Sequence, residues 1–208
     1  EQIIEESIKH PEQNYLVLVP EQFTMQTQKE FVMRHPRHGI MNIDVLSFER
    51  LAYRILEETG GADKIVLDDE GKNFVLRKVA AGKVESLRVL GANVRKPGYI
   101  SEVKSVISEL AQYDVKANEM TLMLEAAPEH SYLYYKLMDI QTLYQAFEDY
   151  LEEKYITREE LLELLCSQMG KSRILKNAVV AMDGFTGFTP IQNKVLGELL
   201  ACCETVYV

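Results

Sequence analysis

Asp183 closes an apolar run, Ala178-Val-Val-Ala-Met182, and so stands where a strand-end carboxylate can hold the water shell of a magnesium ion beside a nucleotide phosphate. Chemistry of that kind needs two more parts. A second carboxylate must take a proton from the attacking water, and a glycine-rich turn ending in Lys-Ser/Thr must cradle the phosphates. Neither accompanies Asp183. The next residue is Gly184, which has no side chain to accept a proton, and the next acid downstream is Glu198. The pattern G-x-x-x-x-G-K-[ST] occurs nowhere in the 208 residues, and neither Gly60-Gly61 nor Gly184 with Gly187 is followed by Lys-Ser/Thr at the required distance. A strand-terminal aspartate is also read, equally well, as a turn cap. No catalytic residue is assigned.

Two other polar segments follow apolar runs in the same way. Pro20-Glu-Gln-Phe-Thr24 follows Tyr15-Leu-Val-Leu-Val19, and Ser47-Phe-Glu-Arg50 follows Ile43-Asp-Val-Leu46. In doubly wound sheets, ligands bind beyond the carboxyl ends of the strands. These two segments and Asp183–Thr189 are therefore where a binding site is expected.

The elements that position them alternate in type. Tyr15–Val19 has the continuous apolar character of a strand buried on both faces. A helix is predicted over about 23–34, a short strand over 43–46, and then a helix capped by Ser47. That helix carries Phe48, Leu51, Ala52, Ile55 and Leu56 at helical spacing and ends at Gly60-Gly61. Residues 65–172 read as almost wholly helical, with stripes at Ile100, Val103, Ile107, Leu110 and at Leu133, Leu137, Ile140, Leu143, Tyr144, Phe147, Leu151; Thr157-Arg-Glu-Glu160 has the form of a capping box. The strand–helix pattern then returns with 178–182, a helix capped by Thr189 with Pro190 at its first position, and a strand beginning at Val206. Strands separated by helices imply a parallel sheet. The predicted organisation is α/β: residues 1–62 and 173–208 form one sheet domain, and 63–172 form a helical insertion between its strands.

Bulk composition narrows the function classes. The net charge is −9, with 6 Lys/Arg against 10 Asp/Glu in residues 1–60, 14 against 19 in 61–172, and 3 against 3 in 173–208. No segment is basic, which argues against strong nonspecific grip on a phosphate backbone and leaves nucleic-acid binding to a local groove. No run approaches the roughly 20 apolar residues of a membrane span, so no membrane association is expected. Cys166, Cys202 and Cys203 match no zinc or cluster spacing and read as reduced thiols of a cytoplasmic protein; His10, His35, His38 and His130 are scattered, with His35 and His38 expected in a solvated turn. No metal site is assigned. The chain opens at Glu1 with Ile3, Ile4 and Ile8 placed like the tail of a helix, and it reads as part of something longer.

Three segments in order carry a resemblance. Asp183–Leu200, DGFTGFTPIQNKVLGELL, resembles the aspartate-led segment of superfamily 1 helicases, with Gln192 in the helix behind it. VLVPEQFTMQTQ (17–28) is similar to the DNA-contacting loop after that family's second strand, and DVLSFERLAYRIL (44–56) resembles its segment after the third. More closely, VPEQFT, VLSFERLAYRILEETGG and DGFTGFTPIQ look like the amino-terminal region of the AddB family, one subunit of the bacterial AddAB helicase–nuclease. The resemblance covers the whole chain, most specifically at its two ends.

That resemblance implies a partial P-loop NTPase sheet, RecA-like, of the helicase 1A kind, with a 1B-like helical insertion, and a P-loop lying just before residue 1. It implies a role in double-strand break repair and homologous recombination: a module deficient in hydrolysis that binds single-stranded DNA and helps recognise a Chi-type signal while a partner helicase–nuclease subunit of the AddA type drives the strand. The family's ATP, magnesium and iron–sulfur cluster are implied for regions outside this chain, so no cofactor is expected within it. Carried over by position, the nucleic-acid-binding residues are Gln22, Thr24, Phe48, Arg50 and Tyr53, where Tyr53 replaces a tryptophan common in the family. Phe185 or Phe188 adds a further wall, and Asp183 with Gln192 marks a degenerate nucleotide and magnesium site. Local readings stand beside these. Phe48 and Tyr53 are also candidates for a helical core face, Gln192 for the capping box at Thr189, and Arg50 for a surface pair with Glu49, Asp44 or Glu57. Two alternative functions remain: an active DNA-stimulated ATPase, or a docking scaffold for the partner subunit.

Overall fold

The computed structural model describes every residue except 62, 63, 97 and 153. Along the chain run α1 (Gln2–Lys9), β1 (Tyr15–Leu18), α2 (Thr24–Arg34), β2 (Ile43–Leu46), α3 (Phe48–Thr59), β3 (Ile65–Val66), α4 (Asp69–Lys83), α5 (Tyr99–Gln112), α6 (Thr121–Ala126), α7 (Tyr132–Leu151), β4 (Tyr155–Ile156), α8 (Arg158–Met169), β5 (Val179–Met182), α9 (Pro190–Cys202) and β6 (Thr205–Tyr207). They divide into two compact units, Glu1–Asp63 with Glu160–Val208, and Lys64–Glu159.

The first unit is built on a parallel sheet of order β2-β1-β5-β6. All four residues of β1 are buried, as its unbroken apolar run requires for a strand covered on both faces. Tyr15, Val17 and Val19 share a core with Ile43, Val45, Val179 and Ile4, bordered by Phe31 of α2. Leu16, Leu18 and Val180 alternate to the opposite face and are equally buried. Leu16 pairs with Val180 and Val17 with Ala181, so stretches far apart in sequence lie side by side in one layer. Helix α3 starts where Ser47 Oγ accepts the Arg50 amide at 3.3 Å and ends at Gly60, whose φ of +86° favours glycine. Between these caps, Leu51, Ala52, Ile55 and Leu56 form its buried stripe.

Glu58, on the outer side of α3, ties down the segment leading into β5. Its Oε2 accepts the Ser172 hydroxyl at 2.6 Å, its Oε1 accepts the Arg173 amide at 2.7 Å, and the Ile174 amide reaches Oε2 at 3.4 Å. Desolvation pushes the carboxyl up, but these hydrogen bonds and the Arg173 charge outweigh it and hold the group below its ordinary value. A depressed carboxylate stabilises the fold above its unfolded pKa and loses that contribution as pH falls through the folded pKa. Glu58→Gln is therefore expected to cost about 1 kcal/mol at neutral pH, small because the side chain meets solvent. Thermal melts in a series from pH 7 downward should show the gap between variant and parent closing below the ordinary carboxylate range; a constant gap would rule out the charge as its origin.

The second unit is mainly helical, with a core of Leu76, Ala80, Ile107, Met120, Leu143, Tyr144 and Phe147 among others. Among the described residues of this unit two charged side chains are buried, Lys72, which pairs with Glu159 at 3.2 Å, and Asp139. Asp139 of α7 is 2% exposed, and its carboxylate accepts the amides of Arg88, Val89 and Leu90 at 2.8–2.9 Å.

Residues 65–172 are mainly helical, as expected, and Ile65–Val66 with Tyr155–Ile156 add a two-stranded parallel sheet. Two expectations need revision. The second division falls between Glu159 and Glu160, not between 172 and 173. This agrees with the place of Leu164, whose methyl carbons lie 3.7–3.9 Å from where a side chain on Gly61 would begin. The expected boundary at 62/63 lies outside the described residues. His35 is buried rather than solvated, and its Nδ1 accepts the Arg37 amide at 3.2 Å.

Candidate nucleic-acid interface

From β1 the chain moves to β2 on one side and later to β5 on the other, so the strand order reverses between β1 and β5. At such a reversal the loops leaving adjacent strands diverge and open a crevice beyond their carboxyl ends. The loop after β1 is a short 3-10 turn, Glu21–Phe23, running directly into α2. The loop after β2 is the single cap Ser47 before α3. The loop after β5 is Asp183–Thr189. All three segments anticipated from the sequence meet at this edge of one sheet.

Specific contacts join them. Arg50 pairs with Glu21, with Nε and Nη2 each 3.1 Å from Oε1, which links the second loop to the first. This replaces the partners expected for Arg50; Asp44 instead pairs with Arg54 at 3.7 Å. The ring of Phe48 lies 5.4 Å from Phe185 and 6.3 Å from Phe188, edge-on to the latter, and Phe185 and Phe188 are 5.2 Å apart. Three aromatic rings thus join the second loop to the third. A side chain on Gly184 would meet Pro20 Cδ at 3.6 Å and Phe23 Cδ2 at 3.7 Å, so the third loop also lies against the first.

Exposure sorts the expected contact residues. Gln22 and Arg50 are open to solvent, Tyr53 is 39% exposed, and Phe185 and Phe188 are half-buried. Thr24 and Phe48 are only 4% and 6% exposed. The Thr24 hydroxyl donates to the Glu21 carbonyl at 2.9 Å, and Phe48 forms the inner wall of the aromatic group. Neither presents a free face, because Thr24 closes its own loop and Phe48 packs beneath Phe185 and Phe188 of the third. Phe23 was not singled out from the sequence, yet it is 42% exposed beside Gly184. Only the strand order brings it there.

The residues of the nucleotide-like motif have local roles. The Asp183 amide donates to the Leu18 carbonyl at 3.0 Å, fastening the end of β5 to β1, and its carboxylate is exposed. Gly184 has a φ of +76°, a conformation that penalises any residue with a Cβ by about 1 kcal/mol, so a proton-accepting carboxylate at this position would be strained. Gln192 completes the capping box: its Oε1 accepts the Thr189 amide at 2.9 Å and its own amide reaches Thr189 Oγ1 at 3.4 Å. Among the described residues, no group of three His, Cys, Asp or Glu side chains is arranged to hold a metal ion. Burial pushes the thiols of Cys166, Cys202 and Cys203 up, Cys203 to about 11, which keeps them protonated and poorly nucleophilic. Among the described residues, no helix is long and apolar enough to cross a membrane.

In comparisons with known proteins, the family model described as "ADDB, N-terminal" matches residues 1–208. An ATP-dependent helicase/deoxyribonuclease subunit of Lachnoclostridium phytofermentans is 50% identical over 208 residues, which is 100% of this chain and 18% of that protein. The subunits of the same description from Alkaliphilus metalliredigens and Listeria monocytogenes are 34% and 32% identical, over 94% and 98% of this chain and 17% of each relative. The chain spans less than a fifth of the length of these relatives.

Proposed function

The chain belongs to the AddB N-terminal family, and with that as premise we propose that it is a DNA-reading module without hydrolytic activity, part of a two-subunit ATP-dependent helicase–nuclease of double-strand break repair. Its sheet derives from a P-loop NTPase of the RecA-like kind, the strand it reads is single-stranded DNA carrying a Chi-type signal, and an AddA-type partner supplies the motion. The observation that carries this reading is the convergence of the three strand-end loops at the reversal between β1 and β5, with aromatic rings and hydrogen-bonding side chains on one edge.

The chemistry fits an unpaired strand. Phe185, Phe188 and Tyr53 offer faces on which bases stack, each worth roughly 1–3 kcal/mol. Gln22 offers a donor and an acceptor to a base edge. Arg50 is held by an exposed ion pair with Glu21, worth at most about 1 kcal/mol, so exchanging that partner for a phosphate or base costs little. Phe48 and Thr24 act as positioning residues beneath these groups. Recognition by a few such contacts does not require a basic surface, which reconciles it with a net charge of −9.

The geometry at Gly184 favours this reading over an active ATPase, since the main chain there disfavours the carboxylate that hydrolysis needs. In the full-length subunit assembled with its partner, Asp183→Ala is expected to leave the Chi response intact. Gln22→Ala is expected to weaken it by roughly tenfold, the value of one bidentate base contact. A nuclease assay that follows Chi-dependent products tests both; an undiminished response in Gln22→Ala, or its loss in Asp183→Ala, would overturn the assignment.

A further inference from the structure

The second unit carries a cavity of about 660 Å3 lined by α4 on one side and by Val94, Arg95, Lys96, Gly98 and the first turn of α5 on the other. Its size is that of a small-molecule site. The α4 wall presents Asn73, Phe74 and Arg77, with Arg77 one helical turn after each of the other two. The opposite wall presents Arg95 and Lys96. None of these three cations has an ion-pair partner among the described residues, and Glu70 is the one acid among the residues lining the cavity. Phe74 is 69% exposed, an apolar ring left in solvent beside two guanidinium groups and an ammonium. Asn73 Oδ1 is buried and has no hydrogen-bond partner. Ile100 and Ser101, in the first turn of α5, also line the space, and the N-cap Gly98 has no side chain to satisfy their amides.

Charge alone would draw any anion, but the exposed aromatic ring narrows the choice. An inorganic phosphate gains nothing from Phe74, whereas a nucleotide unit supplies both a phosphate and a flat base. We propose that this cavity binds one nucleotide of a single strand, with Phe74 stacking on the base and Arg77, Arg95 and Lys96 neutralising the phosphates on either side. The unit is otherwise acidic, so this concentration of unpaired positive charge is local. The site lies in a different unit from the strand-end loops and stands on separate residues.

The 208-residue chain, titrated with a fluorescein-labelled oligothymidylate across a salt series, tests the proposal. Arg77→Ala with Arg95→Ala is expected to weaken binding about tenfold or more at low salt. It should also reduce the slope of log affinity against log salt by about 1.4, two phosphates at roughly 0.7 each. Phe74→Ala is expected to weaken binding about fivefold or more with the slope unchanged, since stacking releases no counterions. All three side chains are exposed, so thermal melts should match the parent. Parent-like binding by these variants overturns the proposal, as does an oligonucleotide that the parent fails to bind. Equal competition by an acidic peptide of the same charge assigns the cavity to a protein partner and likewise overturns it. Phe185→Ala in the same assay separates the two sites: if it alone weakens binding, the strand-end reading stands and the cavity falls.

Discussion

Asp139→Ala is expected to destabilise the helical unit by about 3 kcal/mol. The carboxylate receives three consecutive main-chain amides, from Arg88, Val89 and Leu90, in a core where water does not reach. Removing it strands three buried donors, and each unmet group costs about 1–3 kcal/mol before the chain relaxes. Relaxation is limited because Leu87 and Leu90, on the same segment, are themselves buried in the core. Asp139→Asn is expected to lose about half as much. Its carbonyl oxygen can replace Oδ2 and serve Val89 and Leu90, but its amide then faces the Arg88 N–H, donor against donor. Chemical denaturation should rank the stabilities parent, Asn, Ala, and hydrogen exchange should show protection lost first at residues 88–90. Parent-like melting of Asp139→Ala would mean that these amides find other acceptors.

Phe48→Ala is expected to cost about 3 kcal/mol of stability in the sheet unit, the usual penalty for emptying a buried phenylalanine site. Any loss of DNA binding in that variant would be confounded with loss of fold. Phe48→Leu distinguishes the two. It keeps most of the volume, costs about 1 kcal/mol, and removes only the ring that Phe185 and Phe188 rest against. As a positioning residue, Phe48 replaced by leucine should leave oligonucleotide affinity within about threefold of the parent. Phe185→Ala should lose about fivefold or more, the lower end of a stacking interaction. Equal losses from Phe48→Leu and Phe185→Ala would instead make Phe48 a direct base platform.

Much of this architecture is legible in the sequence, and the reason is physical. Tyr15–Leu18 and Val179–Met182 are continuous apolar runs because both faces of a central parallel strand are covered, and few other environments demand such runs. Ser47 and Thr189 announce helix starts because their hydroxyls satisfy specific orphan amides. What stayed hidden depends on neighbours supplied by distant sequence. Strand order decides that Phe23 lies beside Gly184 and that Arg50 meets Glu21, and no local pattern encodes either. Asp139 looks like part of a solvated helix face until the chain at 88–90 folds against it. Ile65–Val66 and Tyr155–Ile156 are too short for any periodicity to register, and they become strands only through each other. At the candidate site, the sequence marks the three loops, while the fold decides which side chains within them remain accessible.

That small pairing of β3 with β4 has a kinetic meaning. Tyr15 must find Val179 across a separation of 164 positions, a search that disfavours prompt closure of the sheet. Joining Ile65 to Tyr155 ties off 90 of those positions as a self-contained excursion. The entropy saved is modest, roughly 0.6 kcal/mol for a halving of the loop. The larger benefit is one of sequence in time: an insertion that gathers its own ends shortens by about half the stretch across which the two halves of the sheet must find each other.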